Sequence, residues 1–471
     1  MKVLLTHSYF LHFDPKQLEM SKPYPPLGTI QAAACVREKG DEVELFDPFF
    51  SENPEEISPH LKSFKPDVLV IYDDGFNYLT KMCLTRMREA AFKMIELANQ
   101  QNIPVWVASS DSTDHYADYL EKGAEVVLLG EGEVTLLNAL NAKKANEELY
   151  SLDGLAWLDG DKAVKNKQRP VLKVLDELPI PAWDLINVKD YQKAWEKHGY
   201  FSINLATTRG CPYKCNWCAK PIYGNRYNSR SPEHVVQELK YMLSLFEFDH
   251  IWFADDIFGL KPNWVQEFNA VLKKEGIQIP YKIQSRADLL LKDDTVVCLK
   301  ESGCDEVWIG AESGSQKILD AMDKGTTVQQ IYDSTRLMKE HGLKPCFFLQ
   351  FGYLGEKWED IEATLKMVFD LMPQDIGVSV SYPLPGTKFY ERVKSELGEK
   401  ANWSDSDELL LMYKSTFTAQ FYKRLHRYIH KRFREKEAAN NMRKGQLQKL
   451  PRWGYFFLAS RLDWGRVQRL K

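Results

Sequence analysis

Three cysteines fall within eight residues, as Cys211-Pro-Tyr-Lys-Cys215-Asn-Trp-Cys218, directly after the strand-like run Ser202-Ile-Asn-Leu-Ala-Thr-Thr208. A loop of this kind offers three thiolates to a four-iron cluster, and such clusters are ordinarily held by four. The spacing, three residues and then two, differs from that of ferredoxins, and no fourth cysteine follows nearby. One iron would therefore stay open to a small molecule. Structural zinc is the competing reading, but it asks for four ligands. The closest histidines, His198 and His234, are not suitably spaced to complete a zinc set.

A chain of 471 residues implies about two to four domains. Its net charge of −4 argues against a general nucleic-acid binder. The opening Met1-Lys-Val-Leu-Leu-Thr is too short an apolar run for a signal peptide. No stretch reaches the ~18 apolar residues that would suggest a membrane span. Cys35, Cys83, Cys298, Cys304 and Cys346 lie scattered in apolar segments. They read as reduced, buried thiols, and the whole chain as cytoplasmic.

Residues 1–150 alternate short apolar runs with helical patterns. Strands are expected at Lys2–His7, Glu42–Phe46, Asp67–Asp73, Val105–Ser109 and Glu125–Gly130, with a helix over Leu79–Gln100. That pattern predicts a doubly wound parallel sheet. Its ligand would lie at the carboxyl ends of the strands. Those ends carry Thr6-His7-Ser8, Asp73-Asp74-Gly75, Ser109-Ser110-Asp111 and Gly130-Glu131-Gly132-Glu133. Residues 151–200 predict a hairpin turning at Asp159-Gly160 and a Pro-rich linker.

Residues 201–397 alternate six times more, with strands expected to end at Thr208, Asp256, Arg286, Glu312, Gly352 and Leu384. Helices are expected at Pro232–Glu247, Asp293–Ser302 and Lys357–Leu371. Six such units suggest a partial (β/α)6 barrel with its site at the carboxyl ends of the strands. Residues 398–471 lack the alternation and read as a basic helical region. From Phe421 to Lys471 there are fifteen Lys or Arg and three Asp or Glu, a net of +12 by subtraction. This region admits three readings: a solvated helix face, a membrane-surface contact, or an anion-binding wall.

The cysteine spacing resembles that of the radical S-adenosylmethionine (SAM) superfamily. Further segments are similar to one branch of it: Phe253-Ala-Asp-Asp-Ile-Phe258, Ser285-Arg-Ala-Asp288, Gly303 to Gly314, Lys324-Gly-Thr-Thr327 and Pro383-Leu-Pro-Gly-Thr387. Tyr24-Pro-Pro-Leu-Gly28 and Gly130-Glu-Gly-Glu133 are similar to it as well. That branch has an N-terminal cobalamin-binding domain. It includes the anaerobic magnesium-protoporphyrin monomethyl ester oxidative cyclase and cobalamin-dependent radical methyltransferases. Three departures stand out. No Asp-x-His-x-x-Gly follows the first strand, Ser109-Ser110 replaces the usual paired glycines, and Phe351-Gly-Tyr-Leu-Gly-Glu356 lacks the usual proline.

The resemblance implies that Cys211, Cys215 and Cys218 hold a [4Fe–4S] cluster whose open iron chelates SAM, with Trp217 beside the adenine. It implies Glu312 for the ribose hydroxyls and Arg286 for the SAM carboxylate. An internal Glu312–Arg286 pair is the bland alternative. Asp255 or Asp256 would meet the SAM amino group or else cap a helix. Cobalamin would be held near Ser109, Ser110, Gly130 and Glu131, without a histidine ligand to cobalt.

The implied activity is formation of a 5′-deoxyadenosyl radical that starts methylation, oxidation or cyclisation at an unactivated carbon. The implied partners are a small-molecule substrate of lipid or tetrapyrrole type and an electron donor such as flavodoxin or ferredoxin. A peripheral membrane contact through the basic C-terminal region would suit such a substrate, whereas nucleic acid is not expected. The alternatives are a cobalamin-free cap domain on a radical SAM enzyme, a tRNA methylthiotransferase, and a non-catalytic iron–sulfur module. The methylthiotransferase lacks its extra cysteine set here, and the SAM-contact candidates argue against a non-catalytic module.

Overall fold

The computed structural model describes residues 1–81, 84–218, 222–397, 402–404, 409 and 411–471; Cys83 lies outside them. The chain divides into two compact units. The first comprises residues 1–212, 220–280 and 402–408, and the second residues 213–219, 281–401 and 409–471.

The first unit is built on β1 (Lys2–Thr6), β2 (Glu42–Leu45), β3 (Val68–Tyr72), β4 (Val105–Ala108), β5 (Val126–Leu128), β6 (Leu155–Asp159) and β7 (Lys162–Lys165). Their order is β2-β1-β3-β4-β5-β6-β7. The pairs among β1 to β5 are parallel, while β6 and β7 run antiparallel. Alternation along the strands makes two cores. Leu4, Leu69, Ile71, Val105 and Val107 pack with Met94 and Ile95 of α2 (Leu84–Asn99). Val3, Leu5, Val68, Val70 and Trp106 pack on the other face. That face is covered by α1 (Leu27–Glu38) and α3 (Glu133–Ala145), through Ala33, Val36, Leu136 and Leu140. A sheet buried on both faces needs near-continuous apolar strands, and all five residues of Val68-Leu-Val-Ile-Tyr72 are buried. The expected hairpin at Asp159-Gly160 is present, and it extends the edge of this sheet through β6 on β5.

The second sheet contains β8 (Ser202–Leu205), β11 (His250–Phe253), β12 (Tyr281–Ser285), β13 (Cys304–Glu312), β14 (Lys344–Phe351) and β15 (Asp375–Val380). Its order is β15-β14-β13-β12-β11-β8. The strands follow chain sequence without reversal, as a partial barrel requires. A separate antiparallel pair, β9 (Thr208–Arg209) and β10 (Asn228–Ser229), flanks the cysteine loop in sequence. The intervening helices include α4 (Pro232–Leu245), α5 (Trp264–Glu275), α6 (Val328–Glu340) and α7 (Trp358–Leu371). Serine and threonine start several of them: Ser231 caps α4 and Thr327 caps α6, each accepting a backbone N–H.

The basic C-terminal region forms α8 (Ala419–Arg443) and α9 (Leu450–Leu470), which pack against each other. Within the second unit, Arg434 of α8 pairs with Asp375 of β15 at 2.9 Å. Among the described residues no helix is long and apolar enough to cross a membrane.

Candidate active site

Cys211 is buried, and Cys215 and Cys218 are half-buried; all three lie on one loop and none is in a disulfide. Among the described residues, no group of three or more His, Cys, Asp or Glu is already gathered in metal-site geometry, so the three thiols would converge on a cluster only as it binds.

Asn216, between the second and third cysteines, anchors this loop in the second unit. Its backbone N–H donates to the Met322 carbonyl at 3.0 Å, and its Nδ2 donates to the Ala321 carbonyl at 2.7 Å. Its Oδ1 accepts from the Tyr353 hydroxyl at 2.5 Å, and its carbonyl accepts from Phe389 N–H at 2.9 Å. A helix end at Ala321-Met322, the loop after β14 and the short helix Lys388–Val393 thus hold one asparagine. The indole Nε1 of Trp217 is buried with no hydrogen-bond partner. A buried orphan donor costs about 1–3 kcal/mol, so an acceptor on a bound ligand would be favoured there.

Arg286 follows β12 and spreads over this region. Its guanidinium lies 3.6 Å from the centroid of the Tyr213 ring, inside the cysteine loop. Nε donates to Asp288 at 2.9 Å, and Nη1 donates to the Lys324 carbonyl at 2.9 Å. Glu312 closes β13 at φ +53, where the β13–β14 register shifts. Such a left-handed residue at a bulge re-aims its side chain. The carboxylate turns to Lys324, with Oε1 at 2.8 Å from Nζ. The internal partner of Glu312 is therefore Lys324 rather than Arg286. Burial works against the Lys324 ammonium, yet the charges of Glu312 and Cys215 outweigh it and raise its pKa. The ion pair lies over Gly310, where a Cβ would come within 2.5 Å of Lys324 Nζ.

In the first unit, Asp255 is fully enclosed at the end of β11. It accepts from Thr207 N at 2.7 Å, Thr207 Oγ1 at 2.5 Å and Thr208 N at 2.8 Å. Burial pushes its pKa up to about 6 against those bonds. Asp256 is exposed. Asp255 therefore ties the strand that leads into the cysteine loop.

Arg209, two residues before Cys211, is buried and donates to Glu131 Oε1 at 2.5 Å and Glu133 Oε1 at 2.7 Å. Glu131 also accepts from Leu172 N at 2.5 Å. The Gly130-Glu-Gly-Glu133 segment after β5 is thus bonded to the approach to the cysteine loop. Gly130 has φ +74, which favours glycine, and its N–H donates to Thr113 Oγ1 at 3.0 Å.

Ser109 and Ser110 are used within the chain. Ser109 Oγ accepts from Ser112 N at 2.8 Å, capping the short helix Ser110–Asp114, and Ser110 Oγ donates to the Thr80 carbonyl at 3.1 Å. At the end of β1, Tyr9 N–H donates to His7 Nδ1 at 3.2 Å, which leaves the proton on Nε2, 2.9 Å from Asp47 Oδ1. His7, Tyr24, Phe49, Asp73 and Asp74 help line a small recess at this edge.

Sequence reasoning missed Asn216, Tyr213, Lys324 and Arg209 as members of these constellations. Lys324 lies in a segment that carries the resemblance, but its partner is twelve residues away and appears only in three dimensions.

The family described as "Radical SAM superfamily" matches residues 205–368. A protein of Pyrococcus horikoshii named as an uncharacterized methyltransferase is 28% identical over 386 residues, covering 80% of this chain and 81% of that one. The anaerobic magnesium-protoporphyrin IX monomethyl ester cyclase of Cereibacter sphaeroides is 26% identical over 279 residues, covering 58% of this chain and 45% of the relative. The structure of the cobalamin-dependent S-adenosylmethionine radical enzyme OxsB, with aqua-cobalamin and S-adenosylmethionine bound, superposes with a TM-score of 0.75. It covers 98% of this chain and 71% of that one at 19% identity. The superfamily's cofactors are a [4Fe–4S] cluster and SAM. The three thiols of the cysteine loop and the orphaned indole N–H beside them suit that pair. The protein is an enzyme, and its residues 205–368 match the radical SAM superfamily.

Proposed function

We propose that this protein is a cobalamin-dependent radical SAM enzyme that methylates, oxidises or cyclises an unactivated carbon of a small molecule. The observation that carries this reading is the bond of Arg209 to Glu131 and Glu133. It ties the approach to the cysteine loop to the carboxyl edge of the doubly wound sheet, where such sheets bind ligands. Relatives named as a methyltransferase and a magnesium-protoporphyrin cyclase support the reaction class. The aqua-cobalamin bound in OxsB, whose fold this chain resembles, supports cobalamin as the second cofactor.

Cys211, Cys215 and Cys218 would hold the cluster. Bound together, the cluster, SAM and cobalamin supply radical formation and methyl transfer. The protein's own residues do the positioning. Asn216 and Arg286 fix the cysteine loop. Glu312, set by Lys324, would meet the ribose hydroxyls of SAM, and Trp217 would lie beside its adenine. A cobalamin at the first sheet would have no ligand from His7, whose two ring nitrogens are both engaged. An external one-electron donor of flavodoxin or ferredoxin type would reduce the cluster. A tetrapyrrole or lipid-like substrate fits the relatives' chemistry.

One observation favours a second reading, a substrate-binding cap without cobalamin: the Ser109 and Ser110 hydroxyls turn inward. Anaerobic reconstitution with iron, sulfide and hydroxocobalamin separates the two. The expected result is a corrinoid absorption that stays with the protein through gel filtration, and 5′-deoxyadenosine formed from SAM on reduction. 5′-Deoxyadenosine without retained corrinoid would leave the cap reading. Neither signal in an iron-loaded protein would overturn both.

A further inference from the structure

Among the described residues, the five most exposed large apolar side chains sit close together in the chain: Leu447, Leu450, Tyr455, Leu458 and Leu462, at 56–73% exposure. The next, Val174, is exposed at 53% and lies elsewhere. Tyr455, Leu458 and Leu462 follow the i, i+3, i+7 spacing of one helical stripe on α9. Patches of this kind on a protein surface mark interaction sites.

The opposite face of α9 packs Val467 and Trp464, the latter against Trp358 and Tyr428, and adds two buried polar anchors. Ser460 is fully buried and donates to Glu435 of α8 at 2.7 Å. Asp463 is 1% exposed and pairs with Lys431 of α8 at 2.5 Å. These buried bonds set the roll of the helix about its axis. Rolling it over to bury the leucines would break the Ser460–Glu435 and Asp463–Lys431 contacts between the helices, at a desolvation cost for the buried groups. Those polar contacts keep Tyr455, Leu458 and Leu462 turned to solvent.

The charge around the stripe selects the occupant. Residues 444–471 contain seven Lys or Arg and one acidic residue, Asp463, which is the buried one. A basic rim around exposed Leu and Tyr suits the interface of an anionic bilayer. There the apolar face enters the acyl boundary and the long cations extend to the headgroups. A second copy would set one basic surface against another. α9 does not have the apolar length to cross.

We propose that α9, held against α8, is an in-plane docking helix for an anionic lipid surface. This goes beyond the assigned chemistry and does not depend on cobalamin.

Flotation of the full chain with vesicles tests it without any cofactor. The vesicles are phosphatidylcholine alone, or phosphatidylcholine and phosphatidylglycerol in equal parts. The parent should float with the mixed vesicles, poorly with phosphatidylcholine alone, and less as salt is raised. Leu458→Asp/Leu462→Asp should lower the partition at least about tenfold, with circular dichroism and melting unchanged because both side chains are exposed. Arg461→Gln/Arg469→Gln should lower binding to the anionic vesicles alone. Failure of the parent to float, or equal flotation without anionic lipid, would overturn the proposal. So would a parent dimer in sedimentation equilibrium that the double aspartate variant dissolves, since a second copy would then cover the face.

Discussion

The Tyr353 hydroxyl donates to Asn216 Oδ1 at 2.5 Å, joining the loop after β14 to the middle of the cysteine loop. Asn216 is 3% exposed and spends its amide and both backbone polar groups on neighbours distant in sequence. Asn216→Ala should destabilise the protein by about 1–3 kcal/mol, because it leaves buried partners unsatisfied. It should also lower the iron retained after reconstitution, since the loop loses its anchor. Tyr353→Phe should show the same two effects more weakly. Iron assay and thermal melting check both. Parental iron content in Asn216→Ala would detach the anchor from the cluster.

Arg209 is buried between two buried carboxylates. Removing the cation alone strands Glu131 and Glu133, so Arg209→Met should cost about 3–5 kcal/mol. The triple variant Arg209→Met/Glu131→Gln/Glu133→Gln removes both stranded charges and should recover much of the loss. Urea melts of the single and triple variants measure this directly. Equal destabilisation in the two would mean that Arg209 acts through packing rather than charge.

Glu356 follows β14, fully buried, accepting from Gly352 N at 2.7 Å. Burial pushes its pKa from an ordinary 4.5 up to about 8. Between those values the folded chain keeps a proton that the unfolded chain releases. Stability contributed by the neutral acid is therefore fully present at low pH and is lost as pH rises through about 8. Glu356→Gln mimics the neutral form. Its melting temperature should match the parent near pH 5 and exceed it near pH 8.5. Parallel melting curves across that range would mean that Glu356 is already ionised in the fold.

Glu312 and Lys324 form a buried pair resting on Gly310. Glu312→Gln should weaken SAM binding about ten- to a hundredfold, the worth of one charge-assisted hydrogen bond, without loss of iron. Gly310→Ala should act in the same direction, because its Cβ would displace Lys324 Nζ and the Glu312 carboxylate. Calorimetry with the reconstituted protein reads both. Unchanged SAM affinity in Glu312→Gln would remove Glu312 from the site.

The sequence by itself determined what is local. Short apolar runs located β1 to β5 and the six strands of the second sheet, and the cysteine spacing located the cysteine loop. Boundaries shifted by a few residues. β11 ends at Phe253 where the pattern suggested Asp256, and β14 ends at Phe351. The tertiary structure alone decided which side chains meet across long separations. Asn216 and Tyr353 are 137 residues apart, and Arg209 and Glu131 are 78 apart. It also decided how the Asp159-Gly160 hairpin is used, because edge pairing on β5 depends on the neighbouring strand. The roll of α9 was hidden for the same reason. Its composition shows an amphipathic helix, but which face is buried depends on Glu435 and Lys431 of α8 meeting Ser460 and Asp463.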